Sequence, residues 1–219
     1  MREGMSKRAV SSEWIRELRR EIPTFLTDYC SSIETIVEIG CWGSDEPFAL
    51  LWTLDASEVL VIEKEESHLM VSMENIPYFV ARFPGCLDGR QVKPVIGDIG
   101  DYIPDLHSGY FDLAYCENVL YNFLFDSLNY EGLRFAIGQM ARAIKPGGLL
   151  VAIEPKLGAK FEDAPDPLGL GFMVQTRVSD PIDFSELFIE KSLTKVQLQE
   201  MPFWVYCYRK PNSSENELC

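Results

Sequence analysis

Short runs of apolar residues, many of them β-branched, alternate along the chain with longer stretches of helical periodicity. The short runs predict five buried strands, because a strand that is covered on both faces is apolar at consecutive positions. In the longer stretches, apolar residues recur at three- and four-residue steps, which is typical of helices with one buried face. The predicted strands are residues 33–39, 59–62, 92–96, 111–116 and 149–153, and the predicted helices are residues 12–29, 46–54, 68–83 and 131–144.

Strands that alternate with helices indicate an α/β fold with a doubly wound, mostly parallel sheet and helices on both faces. Beyond residue 155 the pattern changes. The stretch 156–181 is rich in glycine and proline and predicts a lid or substrate loop. Residues 183–192 are compatible with one more helix. Residues 194–199 and 203–208 predict two antiparallel strands that close a seven-stranded sheet, because the connection between them is short.

The length of 219 residues fits one domain. We expect an N-terminal helical extension over residues 1–30, an α/β domain over residues 31–211 and a flexible tail over residues 212–219. Thirty-four acidic against twenty basic residues give a net charge of −14, which repels polyphosphate and anionic lipid. We therefore expect no nucleic-acid partner and no membrane partner.

The six cysteines form no CxxC pair and no zinc set with histidine, so we expect no structural metal. The chain contains neither an apolar run of membrane-spanning length nor the apolar core of a signal peptide. These features together predict a cytoplasmic protein.

Glycine or an acidic residue follows each of the five predicted strands, at the edge where open parallel sheets bind their ligands. An acid about twenty residues after a glycine turn is typical of nucleotide folds, where it accepts hydrogen bonds from ribose hydroxyls. Glu63 lies 23 residues after Gly40 and fits that role. The residues at the five strand ends are Gly40, Glu63, Asp98, Glu117 and Glu154.

Five segments in this order resemble class I S-adenosylmethionine-dependent methyltransferases, over about residues 33–210. Residues 36–41 are similar to the family's first strand and glycine-rich loop, and residues 59–64 to its second strand with the ribose acid. Residues 97–98 look like the adenine-side motif, and residues 111–118 like the fourth strand. Residues 141–151 are similar to the helix, turn and fifth strand of the family.

The resemblance implies S-adenosylmethionine as cofactor and the transfer of its methyl group, by in-line displacement, to a small-molecule acceptor. It implies catalytic roles for three residues that follow or end the fourth strand, namely Glu117, Asn118 and Tyr121. The residues that it implies in cofactor binding are Glu38, Gly40, Trp42, Gly43, Glu63, Lys64, Asp98, Ile99 and Glu117.

The glycine-rich loop departs from the family pattern, since Trp42 stands where the second glycine is expected. Gly43 could make the turn instead, Trp42 could turn into the core, or the indole could block the methionine end of the pocket. A catalytically inactive, methyltransferase-like binding protein therefore stays open as an alternative, as does a protein methyltransferase. The absence of GxGxxG after the first strand disfavours a nicotinamide-dependent oxidoreductase. His68, in the predicted helix 68–83, is expected in a solvent or capping role.

Overall fold

The computed structural model describes residues 32–104, 106–120, 122–125, 129–155, 189–190 and 203–210. Several predicted features lie outside the described residues: the helix 12–29, the loop 156–181, the strand 194–199, the tail 212–219 and Tyr121. The division of the chain into an extension, a domain and a tail therefore stays a prediction.

A mixed sheet with strand order β3-β2-β1-β4-β5-β7-β6 forms the centre of the fold. Strands β1 to β5 are mutually parallel, which confirms the predicted α/β fold with its five-stranded parallel core. Strand β7 runs antiparallel to β5, and β6 pairs antiparallel with β7. The strands are β1 (Thr35–Ile39), β2 (Glu58–Glu63), β3 (Gln91–Ile96), β4 (Phe111–Glu117), β5 (Ile144–Pro155), β6 (Ile189–Glu190) and β7 (Phe203–Arg209).

The helices of the described residues lie between these strands. The single helix predicted over residues 68–83 is two helices, because Pro77 has no N–H to bond the carbonyl four residues earlier. The first helix ends at Glu74, and the second takes Pro77 into its first turn, where a missing N–H costs nothing. The helices are α1 (Glu46–Leu54), α2 (Glu66–Glu74), α3 (Ile76–Arg82), α4 (Asn122–Phe125) and α5 (Tyr130–Ala143).

Strand β5 begins before the turn that the sequence predicts at residues 145–148. Ile144 already pairs with Phe111 of β4, and pairing resumes at Leu149 with Leu113. The four residues between them bulge out of the ladder opposite a single residue of β4. Gly147 has a positive φ of 79°, and its N–H donates to the carbonyl of Lys210 at 3.0 Å. The turn-like sequence is therefore part of strand β5 as a bulge, and it is held there by Lys210, which is distant in the chain.

Residues 189–190 belong to the segment 183–192 that was compatible with a helix, but they form strand β6. They pair with Arg209 and Tyr208 of β7, which supplies the backbone partners that a helix would otherwise supply. The helical expectation is wrong for these two residues.

Two apolar clusters cover the two faces of strands β1, β2, β4 and β5. Strand β3 was predicted to be buried, but it lies at the edge of the sheet and is exposed or half-buried at every position. Val37 and Ile39 of β1 point to the cluster that contains residues of α5, and Ile36 points to the opposite cluster with Leu51 of α1. This alternation follows the two-residue period of a strand that is buried on both sides. No helix in the described part of the chain has the length and apolar character needed to cross a membrane.

Candidate ligand site at the carboxyl edge of the sheet

The chain reverses its direction of strand addition between β1 and β4, which are neighbours in the sheet. A crevice opens outside the carboxyl ends of the strands at such a point, and it is the usual ligand site of open α/β sheets. A cavity of about 200 Å³ lies there. Its described lining comes from the ends of β1 to β4 and the residues just after them: Ile39, Gly40, Trp42, Ile62, Glu63, Lys64, Gly97, Asp98, Ile99, Val119, Asn122 and Phe123.

The loop after β1 turns through three residues with left-handed backbone angles. Gly40, Trp42 and Gly43 have φ values of 79°, 52° and 72°. A Cβ atom on Gly40 would lie 2.6 Å from Cγ2 of Val119, closer than side chains can approach. Gly40 is therefore required both for its backbone angle and for the space above it.

Trp42 lies on the cavity wall and does not turn into the core. Its side chain is 57% exposed, and its ring stacks on His68 with the centroids 5.4 Å apart and an interplanar angle of 24°. Of the three arrangements that the sequence left open, burial of Trp42 is excluded. Gly43 does contribute a left-handed turn, and it does so next to Trp42 rather than in its place.

Glu63 ends β2 as a buried carboxylate that is held by two main-chain donors. Its Oε2 accepts from the N–H of Trp42 at 3.0 Å, and its Oε1 accepts from the N–H of Glu65 at 3.1 Å. The residue is 4% exposed and lines the cavity. A carboxylate has about four acceptor positions, so each oxygen can accept a second hydrogen bond from a ligand hydroxyl.

Asp98 and Ile99 form the wall beyond β3. Oδ1 of Asp98 accepts from the N–H of Gly100 at 2.8 Å, which fixes the carboxylate beside the cavity. Gln139 of α5 is buried and donates through Nε2 to the carbonyl of Ile99 at 3.0 Å and to the carbonyl of Asp101. A side chain from the neighbouring helix therefore holds this turn from below.

The end of β4 carries two of the predicted catalytic residues. Glu117 is 6% exposed, and Asn118 has a left-handed φ of 56°. The N–H of Asn118 donates to the carbonyl of Ile153 at 2.8 Å, and its buried Oδ1 has no hydrogen-bond partner among the described residues. The third predicted residue, Tyr121, lies outside the described residues.

The structure brings six of the predicted site residues to one cavity: Gly40, Trp42, Glu63, Lys64, Asp98 and Ile99. Four others are not part of its described lining, namely Glu38, Gly43, Glu117 and Asn118. Glu38 is 1% exposed within β1, so it is buried in the sheet below the loop. The ligand roles of all these residues stay predictions.

Sequence reasoning missed Val119, Asn122 and Phe123, which reach the cavity from the segment after β4. Val119 and Phe123 are four residues apart and apolar, a spacing that the sequence does display. It also missed His68. Its half-exposed side chain stacks on Trp42, and Nδ1 lies 3.8 Å from Oε1 of Glu63, so it has contacts beyond the expected solvent or capping role.

The Cys41 thiol of the loop is not part of the described lining of the cavity. Burial raises the pKa of Cys41, and its Sγ lies 3.6 Å from the hydroxyl of Ser72 behind the loop. A buried thiol that stays protonated is a poor nucleophile. Among the described residues, no group of three or more histidine, cysteine or acidic side chains is placed to hold a metal ion.

The sequence matches no protein-family model and no curated protein sequence. The structure is similar to the N-methyltransferase NodS from Bradyrhizobium japonicum WM9, with a TM-score of 0.56 and 19% identity over 91% of this chain and 98% of NodS. It is also similar to an O-methyltransferase family protein from Burkholderia thailandensis, with a TM-score of 0.55 and 14% identity over 97% of this chain and 61% of that protein.

Several other matches cover only about half of the solved chain. The YcgJ protein from Bacillus subtilis is matched over 65% of this chain and 52% of YcgJ, with a TM-score of 0.49 and 15% identity. The similarity to NodS and to the Burkholderia protein, at 19% and 14% identity, establishes the fold alone. It is the fold that the sequence resemblance to class I S-adenosylmethionine-dependent methyltransferases predicted.

Proposed function

We propose that the chain binds S-adenosylmethionine in the cavity at the carboxyl edge of the sheet and transfers its methyl group to a small-molecule acceptor. The observation that carries this proposal is the carboxylate of Glu63. It is buried at the end of β2, oriented by the N–H groups of Trp42 and Glu65, and open to the cavity.

The residues along the wall fit an adenosine group. Glu63 would accept from both ribose hydroxyls, and its negative charge would reject a ligand with a phosphate at the 2′ position. Asp98 and Ile99 would flank the adenine, with their turn held by Gln139. The similar fold of NodS has been solved in complex with S-adenosyl-L-homocysteine, which supports this class of ligand.

The size of the cavity agrees with part of such a ligand. Sites for drug-sized molecules usually enclose about 300–1,000 Å³, and the described residues enclose about 200 Å³. We therefore assign the part of the wall formed by Glu63, Asp98 and Ile99 to the adenosine end of the donor.

The donor supplies an activated methyl group on a sulfonium, so the protein has mainly to orient the reactants. Gly40 would let the backbone approach the donor, because a Cβ atom there has no room. Glu117, Asn118 and Tyr121 are proposed to meet the acceptor at the end of β4, with Glu117 as a candidate base. Acids around the crevice would attract the cationic donor.

The proposed function also includes the domain, location and partners that the sequence predicts. Residues 31–211 would form one methyltransferase domain whose seven-stranded sheet ends in an antiparallel strand. The antiparallel pairing of β7 with β5 supports this arrangement. The protein would act in the cytoplasm on a small acceptor, without a nucleic-acid or membrane partner.

One observation favours a second candidate function, a binding protein without catalytic activity. Trp42 stands at the second glycine position of the loop, and its indole borders the cavity. If the indole excluded the methionine part of the donor, the fold would be retained without methyl transfer.

Isothermal titration of the purified chain with S-adenosylmethionine and S-adenosylhomocysteine tests the proposal, with NAD as the control ligand. Binding of the first two at micromolar strength, without heat from NAD, is the expected result. Circular dichroism of the same sample establishes that the protein is folded. A folded sample that binds neither S-adenosyl ligand would contradict the proposed function.

A further inference from the structure

Trp42 has a backbone conformation that a large side chain rarely adopts. Its φ of 52° lies in the left-handed region, where glycine would be free of strain. Strain of this kind persists only where surrounding contacts determine the conformation. The contacts of Trp42 therefore indicate what holds its side chain in place.

Two contacts hold Trp42 from opposite ends of the residue. Its main-chain N–H donates to Glu63 at 3.0 Å, and its ring stacks on His68 with centroids 5.4 Å apart. His68 lies in the first turn of α2, and its Nδ1 is 3.8 Å from the same Glu63 carboxylate. Trp42, Glu63 and His68 therefore close a ring of contacts between three separate segments of the chain.

The stacked indole runs along the cavity. Its Nε1 and Cδ1 atoms lie 3.5 and 3.7 Å from the position that a Cβ atom on Gly40 would occupy. The cavity stays open beside it, bounded on the other sides by Glu63, Asp98 and Val119. In this orientation the indole forms part of the described wall of the cavity.

We propose that His68 is a positioning residue, which holds the indole of Trp42 as the ligand-contacting wall of the cavity. This inference rests on the proposed function and adds a residue to it. A near-parallel ring contact needs a flat ring on α2 and not an imidazole proton. His68→Phe should therefore preserve the position of the Trp42 indole, and His68→Ala should not.

The test measures S-adenosylhomocysteine affinity by isothermal titration for the full chain and two variants. We expect His68→Ala to weaken binding about 3- to 10-fold, the range of an aromatic pair, and His68→Phe to stay within about twofold of the original chain. Equal affinity of His68→Ala and the original chain would overturn the inference. So would equal weakening in both variants, because the imidazole nitrogens and not the stacking would then matter.

A second ring pair supplies the matched control. Trp52 and Phe83 pack with centroids 5.8 Å apart, and neither belongs to the described lining of the cavity. Phe83→Ala removes a ring from an exposed tryptophan in the same way and should leave the affinity unchanged. Phe83 is half-buried and also packs against the cluster of Phe48, Phe79 and Cys86. Weakening by Phe83→Ala equal to that of His68→Ala would mean that loss of a ring contact outside the cavity disturbs binding as much, which would overturn the inference.

Tryptophan fluorescence tests the positioning without any ligand. His68→Ala should shift the ligand-free emission, and His68→Phe should restore it. In a Trp42→Phe background the shift should vanish, since Trp42 is its source. If neither the original chain nor any variant binds an S-adenosyl ligand, the proposed function fails. The ligand-free emission still decides whether His68 positions Trp42. An emission that is the same with alanine and histidine at position 68 would overturn the positioning role.

Discussion

The main-chain N–H of Trp42 donates a 3.0 Å hydrogen bond to Oε2 of Glu63, which joins the loop after β1 to the end of β2. The other oxygen of the same carboxylate accepts from the N–H of Glu65 at the start of α2. One buried side chain thus fixes two turns and faces the cavity. Any change of Glu63 should alter both the loop and the site.

Replacement of Glu63 by glutamine tests this double role. The amide keeps the size of the side chain but exchanges one acceptor oxygen for a donor, so it cannot accept from both N–H groups. Hydrogen bonds to a charged group contribute about 1.5–3 kcal/mol, so we expect S-adenosylhomocysteine affinity to fall about 10- to 100-fold. Isothermal titration measures the change.

Glu58→Gln is the matched control, because Glu58 begins the strand that Glu63 ends. It is also buried, and its Oε2 accepts from Nζ of Lys93 at 2.6 Å. We expect this variant to lower the melting temperature but to leave the affinity intact. Equal losses of affinity in the two variants would contradict a specific role for Glu63.

Replacement of Trp42 by glycine distinguishes an indole that contacts the ligand from an indole that obstructs the cavity. Glycine relieves the strain of the left-handed backbone but removes the indole. If the indole contacts the ligand, Trp42→Gly should therefore have a more stable loop and bind the ligand more weakly than the original chain. We expect S-adenosylmethionine affinity to fall, and Trp42→Phe to retain part of it. Titration of both variants measures this. Tighter binding by Trp42→Gly would mean that the indole obstructs the site, and it would favour the binding protein without catalytic activity.

The parallel core could be predicted from the sequence, because a strand that is buried on both faces has apolar residues at consecutive positions. Glu63 and Asp98 could be predicted as site residues because parallel strands end at one edge. The roles of His68 and Val119 could not be predicted in this way. His68 reaches Trp42 only through the orientation of α2 on the sheet, and Val119 reaches Gly40 across neighbouring strands.

One proline and one distant strand partner explain where the sequence prediction of the elements was wrong. Pro77 predicts a break in a helix, but the periodicity of residues 68–83 continues through it. The Lys-Pro-Gly-Gly sequence at 145–148 favours a turn, and it is drawn into β5 by bonds between Gly147, Gly148 and Lys210. Such partners are 60 or more residues away along the chain, beyond any local pattern.

Gly40→Ala should be more destabilising than other substitutions at left-handed glycines. The new Cβ atom would meet Val119 at 2.6 Å in addition to the unfavourable φ of 79°. The backbone conformation alone costs about 1–2 kcal/mol, and overpacking adds about 1–3 kcal/mol. Urea unfolding measures the sum as a loss of unfolding free energy.

Gly89→Ala isolates the backbone part of that cost, since Gly89 has a φ of 71° and no atom within 4 Å of a new Cβ. We expect it to lose only about 1–2 kcal/mol. The double variant Gly40→Ala with Val119→Ala should recover most of the overpacking cost. A Gly40→Ala protein no less stable than Gly89→Ala would show that Val119 moves away freely.

Asp112 links the start of β1, strand β4 and the bulge of β5. Its Oδ2 accepts from the N–H groups of Glu34 and Thr35 at 3.0 and 2.9 Å, and its Oδ1 accepts from Nζ of Lys145 at 2.7 Å. Burial alone would raise the pKa of this carboxyl, but the bonds from Lys145 and Thr35 outweigh it and lower the pKa below its usual value.

A carboxyl whose pKa is lowered by folding stabilises the protein above its unfolded-state pKa of about 3.9. That contribution is lost as the pH falls through the lower pKa of the folded state. We expect Asp112→Asn to reduce the unfolding free energy by about 1–3 kcal/mol at pH 7, and the difference from the original chain to shrink below about pH 4. Urea unfolding between pH 7 and pH 3 measures this difference.

Asp101→Asn, at an exposed position, is the control and should change the unfolding free energy by less than about 0.5 kcal/mol. A difference for Asp112→Asn that is the same at every pH would mean that the carboxylate charge does not carry the stabilisation.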